Sequence, residues 1–182
     1  MKITARTPLR GVAFAVGRAL AQHGIRAVLT GGACASLYAA GRYHSDDLDF
    51  VLEDRVEVAN LDRAMASVGF VRDANRFVHS RSDFWVEFPR GPLAVGADLD
   101  VRPIGWREPA GSVLALSSTD SCRDRLAAYF HWNDRQSLET AVAIATHNKV
   151  DLDRIGRWSA GEGHSARFEE FANLLSRRKR SR

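Results

Sequence analysis

The stretch VLTGGACASLYAAGRYHSDDLDFVL, Val28 to Leu52, decides how the chain is read. Arg26 to Thr30 is short and β-branched at its centre, Gly31-Gly32 break it, and Ala33 to Ala40 is rich in good helix formers before Gly41. Asp47 to Glu53 then alternates acid and apolar residues. In a strand, successive side chains take opposite faces with a rise of about 3.3 Å, so Asp47 and Asp49 share one face with α-carbons roughly 6.6 Å apart. Leu48 and Phe50 take the other face. The stretch predicts strand, glycine turn, helix and strand, in that order.

Two carboxylates on one strand face repel and raise each other's proton affinity unless a cation joins them. Converging carboxylates can share divalent ions, and two ions about 3.5–4 Å apart suit in-line phosphoryl transfer. Mg²⁺ prefers oxygen ligands and commonly joins one or two carboxylates to substrate phosphates. The pair therefore implies a phosphate-bearing partner. Gly31 and Gly32 let backbone approach a phosphate closely, and the helix after them offers unpaired N–H groups and the positive end of its dipole. Ser36, expected in the first turn of that helix, adds a hydroxyl. His44, alone in the loop before the acids, reads as solvated.

Outward from this stretch, Thr7-Pro8 is an N-cap and first-turn pair for a helix carrying Leu9, Val12, Val16 and Leu20 up to Gly24. Leu61, Ala64, Met65 and Val68 mark another helix ending at Gly69. RFVHSRSDFWVEFP predicts a hairpin, with strands at Arg76 to His79 and Phe84 to Phe88 and a polar turn at Ser80 to Asp83. Glycines and prolines between Gly91 and Gly111 predict loops around one more strand, Ala97 to Ile104. Thr119 to Trp132, Asp134 to His147, Val150 to Trp158 and His164 to Arg177 read as helices. The expected class is α/β (α+β), a mixed sheet flanked by helices and followed by a helical part. The division falls between an α/β core, residues 1–112, and a helical region, residues 113–182, packed on it.

At 182 residues, 45% apolar and 26% charged, the chain is long enough for a substantial core of one globular unit. The net charge of +4 is mild, and much of it sits in the basic tail SRRKRSR, residues 176–182, which reads as a frayed, solvated end or as a contact for RNA. Only two cysteines occur, Cys34 and Cys122, without CxxC or histidine-rich context. They predict reduced thiols in a cytoplasmic protein rather than disulfides or structural zinc. No apolar run approaches the roughly 18 residues of a membrane span, so no membrane partner is expected. Trp85, Trp106, Trp132 and Trp158 could stack a base but read as core or interface residues.

TGGACASLYAAGRYHSDDLDF, with its Ser45-x-Asp47-Leu48-Asp49 ending, resembles the nucleotidyltransferase superfamily, in the minimal polymerase-beta-like version of that fold. It looks most like AbiEii-type toxins and related small bacterial nucleotidyltransferase-like proteins. The resemblance implies a third carboxylate from a neighbouring strand: Glu87 in FWVEF, with Asp100, then Asp98, of GADLDVR as competitors. It also sets Asp124-Arg125 and the Asn133-Asp134-Arg135 run beside an Asp-Lys pair and a later Arg-Asp of those relatives, with Arg123 as a nearby alternative. Arginine in place of lysine keeps a charge for triphosphate but cannot deprotonate.

The function so implied is transfer of a nucleoside monophosphate from a nucleoside triphosphate to an acceptor hydroxyl, with Mg²⁺ or Mn²⁺ as cofactor. Asp47, Asp49 and Glu87 would be catalytic and hold metal. Gly31, Gly32, Ser36, Ser45, Arg125 and Asp134 would bind the nucleotide. The acceptor would be tRNA or another RNA, a protein or an antibiotic, and a cognate partner protein is expected for a toxin-type chain. The alternatives are a module of the same fold that binds without turnover, antitoxin-like, and a metal-dependent phosphohydrolase.

Overall fold

The computed structural model describes residues 2–41, 43–109 and 111–181. Helix α1, Leu9–Gln22, buries Val12, Phe14, Val16 and Leu20. Its N-cap position is Pro8 rather than Thr7, whose hydroxyl instead accepts from the Thr4 N–H at 2.9 Å. Strand β1, Ala27–Thr30, runs without a loop into α2, Gly31–Tyr38. Strand β2 is Asp47–Leu52, and α3 is Val58–Ala66.

The expected hairpin forms from β4, Arg76–His79, and β5, Ser82–Glu87, around a tighter turn than the sequence suggested. A strand that the sequence did not signal, β3 (Phe70–Asp73), precedes it and buries only Phe70. The strand expected at Ala97 to Ile104 does not form. That segment is loop with one isolated bridge, Val95 to Asp98, and the strands lie later, β6 at Ile104–Glu108 and β7 at Gly111–Ala115. The division expected between residues 112 and 113 therefore falls inside β7.

The seven strands make one mixed sheet in the order β3-β4-β5-β2-β1-β7-β6. Strand β2 lies at its centre, antiparallel to β1 and parallel to β5. Placing β2 between two partners satisfies its backbone on both edges, leaving one face for the core and one for chemistry.

Four helices follow: α4 (Ser118–Trp132), α5 (Arg135–His147), α6 (Leu152–Gly161) and α7 (Ser165–Arg180). Ser117 caps α4 by accepting from the Asp120 N–H, and Asn133 ends it in the left-handed region at φ 54°. Helix α7 continues through Arg180, so most of the basic tail is helical, its cations gathered in the last turn where the helix dipole favours them. Helix α2 packs on β2, α4 and α5. One apolar cluster runs from Val28 and Phe50 in the sheet through Leu126 and Ile144 to Trp158 and Phe171.

A buried ion network ties the 91–103 loop to this helical layer. Arg123 is 0% exposed, and donates to Asp98 at 2.5 Å and Asp120 at 2.8 Å while lying under the Trp158 ring. Arg154 reaches the same Asp120 at 3.2 Å. No described helix is long and apolar enough to cross a membrane.

Candidate active site

The centre of the site is the register between β2 and β5. Asp47 lies opposite Trp85, Leu48 opposite Val86, and Asp49 opposite Glu87. Residues paired across neighbouring strands project to the same side, with strands about 4.8 Å apart. Leu48, Phe50 and Val86 are buried in the core. Asp47, Asp49, Trp85 and Glu87 therefore share the other face, where each stays partly open to solvent.

Strand β1 closes the site from the other side. Its last residue, Thr30, is the backbone partner of Asp49, and α2 starts at the next residue. Gly31 has φ +61°, a conformation glycine adopts freely and other residues rarely do. A Cβ on Gly31 would collide with Asp49 Oδ2, and one on Gly32 would lie 2.5 Å from Ser45 Oγ and 2.8 Å from the Tyr43 hydroxyl. The space that these buried glycines leave is filled by the Asp49 carboxylate, the Ser45 hydroxyl and the Tyr43 phenol.

Each flanking carboxylate is held by a neutral donor two residues earlier on its own chain. Ser45 Oγ donates to Asp47 Oδ1 at 2.8 Å, and Trp85 Nε1 donates to Glu87 Oε1 at 3.0 Å. Among the described residues nothing donates to the Asp49 carboxylate. Burial, then the negative charges of Asp47, Glu87 and Asp124, raise the Asp49 carboxyl from its ordinary 3.8 to about 6, with Arg125 acting in the opposite sense. Helix α4 thus brings Asp124 and Arg125 within electrostatic reach of the strand acids. The two are joined to each other, Arg125 Nε and Nη2 donating to Asp124 Oδ2 at 3.1 and 2.7 Å.

The other residues expected at the site lie differently. Ser36 sits in the second turn of α2, not the first, and its hydroxyl donates to the Ala33 carbonyl at 2.7 Å. Asp134 is the N-cap of α5: it accepts from the N–H groups of Gln136 and Ser137 at 2.9 and 3.1 Å and from Ser137 Oγ at 2.6 Å. Those hydrogen bonds, the Ser137 hydroxyl first, hold its carboxyl below the usual range. Asp98 is engaged by Arg123, and Asp100 is exposed in the loop beside Arg102 at 3.4 Å. His44 is exposed. The sequence reads Trp85 as a core or interface residue, not as part of the site, and does not single out Tyr43. Strand alternation from Glu87 would have found Trp85, whereas the loop around Tyr43 carries no period to read.

The donor set is all oxygen and carries surplus negative charge, visible in the raised proton affinity of Asp49. That matches a hard divalent cation. Among the described residues no three His, Cys, Asp or Glu side chains are gathered closely enough to enclose a metal ion. Mg²⁺ does not require such a set, since one or two carboxylates with phosphate and water commonly suffice. The face is open rather than enclosed. A cleft of about 330 Å³ lies elsewhere, lined by Gly17, Arg26, Trp106, Arg107 and Leu114 among others, and none of the three acids borders it.

No protein-family model matches the chain, and no curated protein matches it. Among solved structures it is similar to the crystal structure of an antigenic nucleotidyltransferase-like protein from Paracoccidioides brasiliensis, with a TM-score of 0.56 and 16% identity, over 78% of this chain and 76% of that one. At this identity the likeness concerns the fold. The chain has a mixed α/β, nucleotidyltransferase-like fold.

Proposed function

We propose that the chain is a divalent-metal-dependent nucleotidyltransferase. One observation carries this: the β2–β5 register sets Glu87 beside Asp49 on the face that also holds Asp47, at the point where α2 begins. Asp47, Asp49 and Glu87 would hold Mg²⁺ or Mn²⁺, which when bound offsets the charge of the triphosphate and polarises its α-phosphorus.

The remaining work falls to the chain's own groups. The acceptor hydroxyl oxygen bonds to the α-phosphorus of a nucleoside triphosphate, the bond from that phosphorus to the bridging oxygen breaks, and pyrophosphate leaves. Glu87, whose Oε2 accepts no hydrogen bond among the described residues, helps activate the acceptor hydroxyl as a metal-holding group through that oxygen, and the hydroxyl proton passes to solvent. Arg125 offsets charge on the triphosphate from α4. The start of α2 at Gly31 and Gly32, with Ser45 beside it, borders the phosphates. The hydroxyl of Ser36 and the carboxylate of Asp134 are bonded within their own helices and contribute support rather than contacts.

The acceptor we favour is a hydroxyl of tRNA or other RNA, a protein or an antibiotic. Ser45-x-Asp47-Leu48-Asp49-Phe50 together with Asp124-Arg125 supports an AbiEii-type relationship and, with it, a cognate partner protein. The two cysteines, both free and buried, suit a cytoplasmic setting. The test is incubation of the protein with labelled nucleoside triphosphates, Mg²⁺ and a panel of total RNA, cell protein and antibiotics. Label should appear on one acceptor class and vanish in D47A/D49A. Nucleotide binding without label on any acceptor would move the chain to a binding module, and labelling that survives D47A/D49A would refute the site.

A further inference from the structure

Trp85 sits opposite Asp47 and two residues before Glu87, so its indole projects onto the carboxylate face. Its Nε1 donates to Glu87 Oε1 at 3.0 Å. Arg76, whose backbone pairs with Glu87 from β4, lies over the ring with Cζ 5.4 Å from the centroid. That face of the indole is thereby occupied by a cation, which disfavours use of the ring as a stacking platform and fixes its plane instead.

Three chemical features make this arrangement specific. An indole is a donor only and carries no charge, so it immobilises one carboxylate oxygen without neutralising the anion as an arginine would. Glutamate has one more rotatable bond than aspartate and gains more from being held, since ordering a long side chain costs free energy at the moment of binding. Ser45, just ahead of β2, and Asp47, its first residue, repeat the same spacing, a neutral donor two residues ahead of the acid it holds. The two flanking acids are thus fixed, and Asp49 between them is left without a donor among the described residues.

We infer that Trp85 is a positioning residue: its indole N–H holds Glu87 so that the second carboxylate oxygen stays available to a divalent cation shared with Asp47 and Asp49. This rests on the assignment of Glu87 as a metal-holding residue made above. Hydrogen-bond partners of ligating carboxylates typically account for 10- to 100-fold in metal affinity. Removal of the indole N–H should therefore weaken metal binding by about tenfold or more. Because Trp85 acts only through Glu87, the loss should not add to that caused by changing Glu87 itself.

Mn²⁺ titration of the full chain, followed by the resonance of the free ion, tests this with wild type, W85F, E87Q, W85F/E87Q and D47A/D49A. The expected pattern is binding in wild type, none in D47A/D49A, weakening in W85F, and equal affinity for E87Q and the W85F/E87Q double variant. Wild-type affinity in W85F, or losses that multiply in the double variant, would overturn the role of Trp85 while leaving the metal site standing. No binding to wild type, or binding unchanged in D47A/D49A, would overturn the metal site and this inference with it. A second measurement leaves the tryptophan in place: of the four tryptophan indole N–H signals, the one absent in W85F should move on adding Mg²⁺ to wild type and stay still in E87Q. Movement of equal size in E87Q would refute the coupling.

Discussion

Replacing Asp49 with asparagine should stabilise the metal-free protein at neutral pH while abolishing metal binding. The Asp49 carboxyl is raised from 3.8 to about 6 by burial and by its acidic neighbours. The folded state thus disfavours its ionised form. A raised carboxyl contributes stability that is complete below its unfolded value near 3.8 and is lost as pH climbs through about 6. At about 1.4 kcal/mol per pH unit the full displacement approaches 3 kcal/mol, and the remaining solvent access of the carboxylate reduces it to about 1–2 kcal/mol.

D49N removes the charge and keeps the shape, so in EDTA at pH 7.5 it should unfold at higher urea concentration, by about that free energy. For a chain of this size the melting temperature rises about 2–4 °C per kcal/mol. At pH 3.5 the two proteins should converge to within about a few tenths of a kcal/mol, because wild-type Asp49 is then protonated in the folded state and mostly protonated in the unfolded one. Mg²⁺ should reverse the order at neutral pH, stabilising wild type by an amount that grows with the logarithm of its concentration above Kd and leaving D49N unmoved. A D49N protein that is less stable than wild type in EDTA at pH 7.5, or whose advantage persists at pH 3.5, would refute the crowding of charge on which the site is built.

Substitutions at three further positions probe other parts of the structure. Gly31→Ala forces a side chain into a left-handed backbone and against Asp49 Oδ2; it should cost at least about 1–2 kcal/mol in urea unfolding and depress transfer through displacement of the carboxylate. Arg123→Met strands Asp98 and Asp120 without their buried partner and should cost about 3–5 kcal/mol, with Arg123→Lys failing to restore two-sided bonding. Asp134→Ala should cost about 1 kcal/mol through loss of the α5 cap while Asp134→Ser retains most of it; nucleotide affinity falling tenfold with stability unchanged would show a direct contact instead.

The parts of the fold that were legible in the sequence are those whose signals are local. The glycine break at Gly31, the alternation of Asp47 to Leu52 and the helical patterns from Thr119 to Trp132 and from Asp134 to His147 each act within a few residues. What was missed depends on distant partners. Strand β3 buries only Phe70 and has no alternation to read, and it exists because β4 pairs with it. Strand β7 looked like the end of a glycine and proline loop, yet its parallel pairing with β1 makes it part of the sheet. The Ala97 to Ile104 segment alternates as a strand should, but Asp98 is drawn to Arg123 and no neighbouring strand takes the segment up.

The same division runs through the candidate site. Sequence alone fixed that Asp47 and Asp49 share a face and that a glycine pair precedes them, because strand period and backbone freedom are properties of the local chain. It left Glu87 and Asp100 as rivals, since pairing register is a property of two strands and cannot be read from one. Tertiary structure set Glu87 across from Asp49, left Asp100 in an exposed loop, placed Trp85 on the carboxylate face and brought the expected Asp124-Arg125 pair within electrostatic reach of it. The mutual effect of Asp47 and Asp49 follows from strand period, but burial, the largest cause of the raised Asp49 carboxyl, and the charges of Glu87 and Asp124 act through space and came into view only when those elements were brought together.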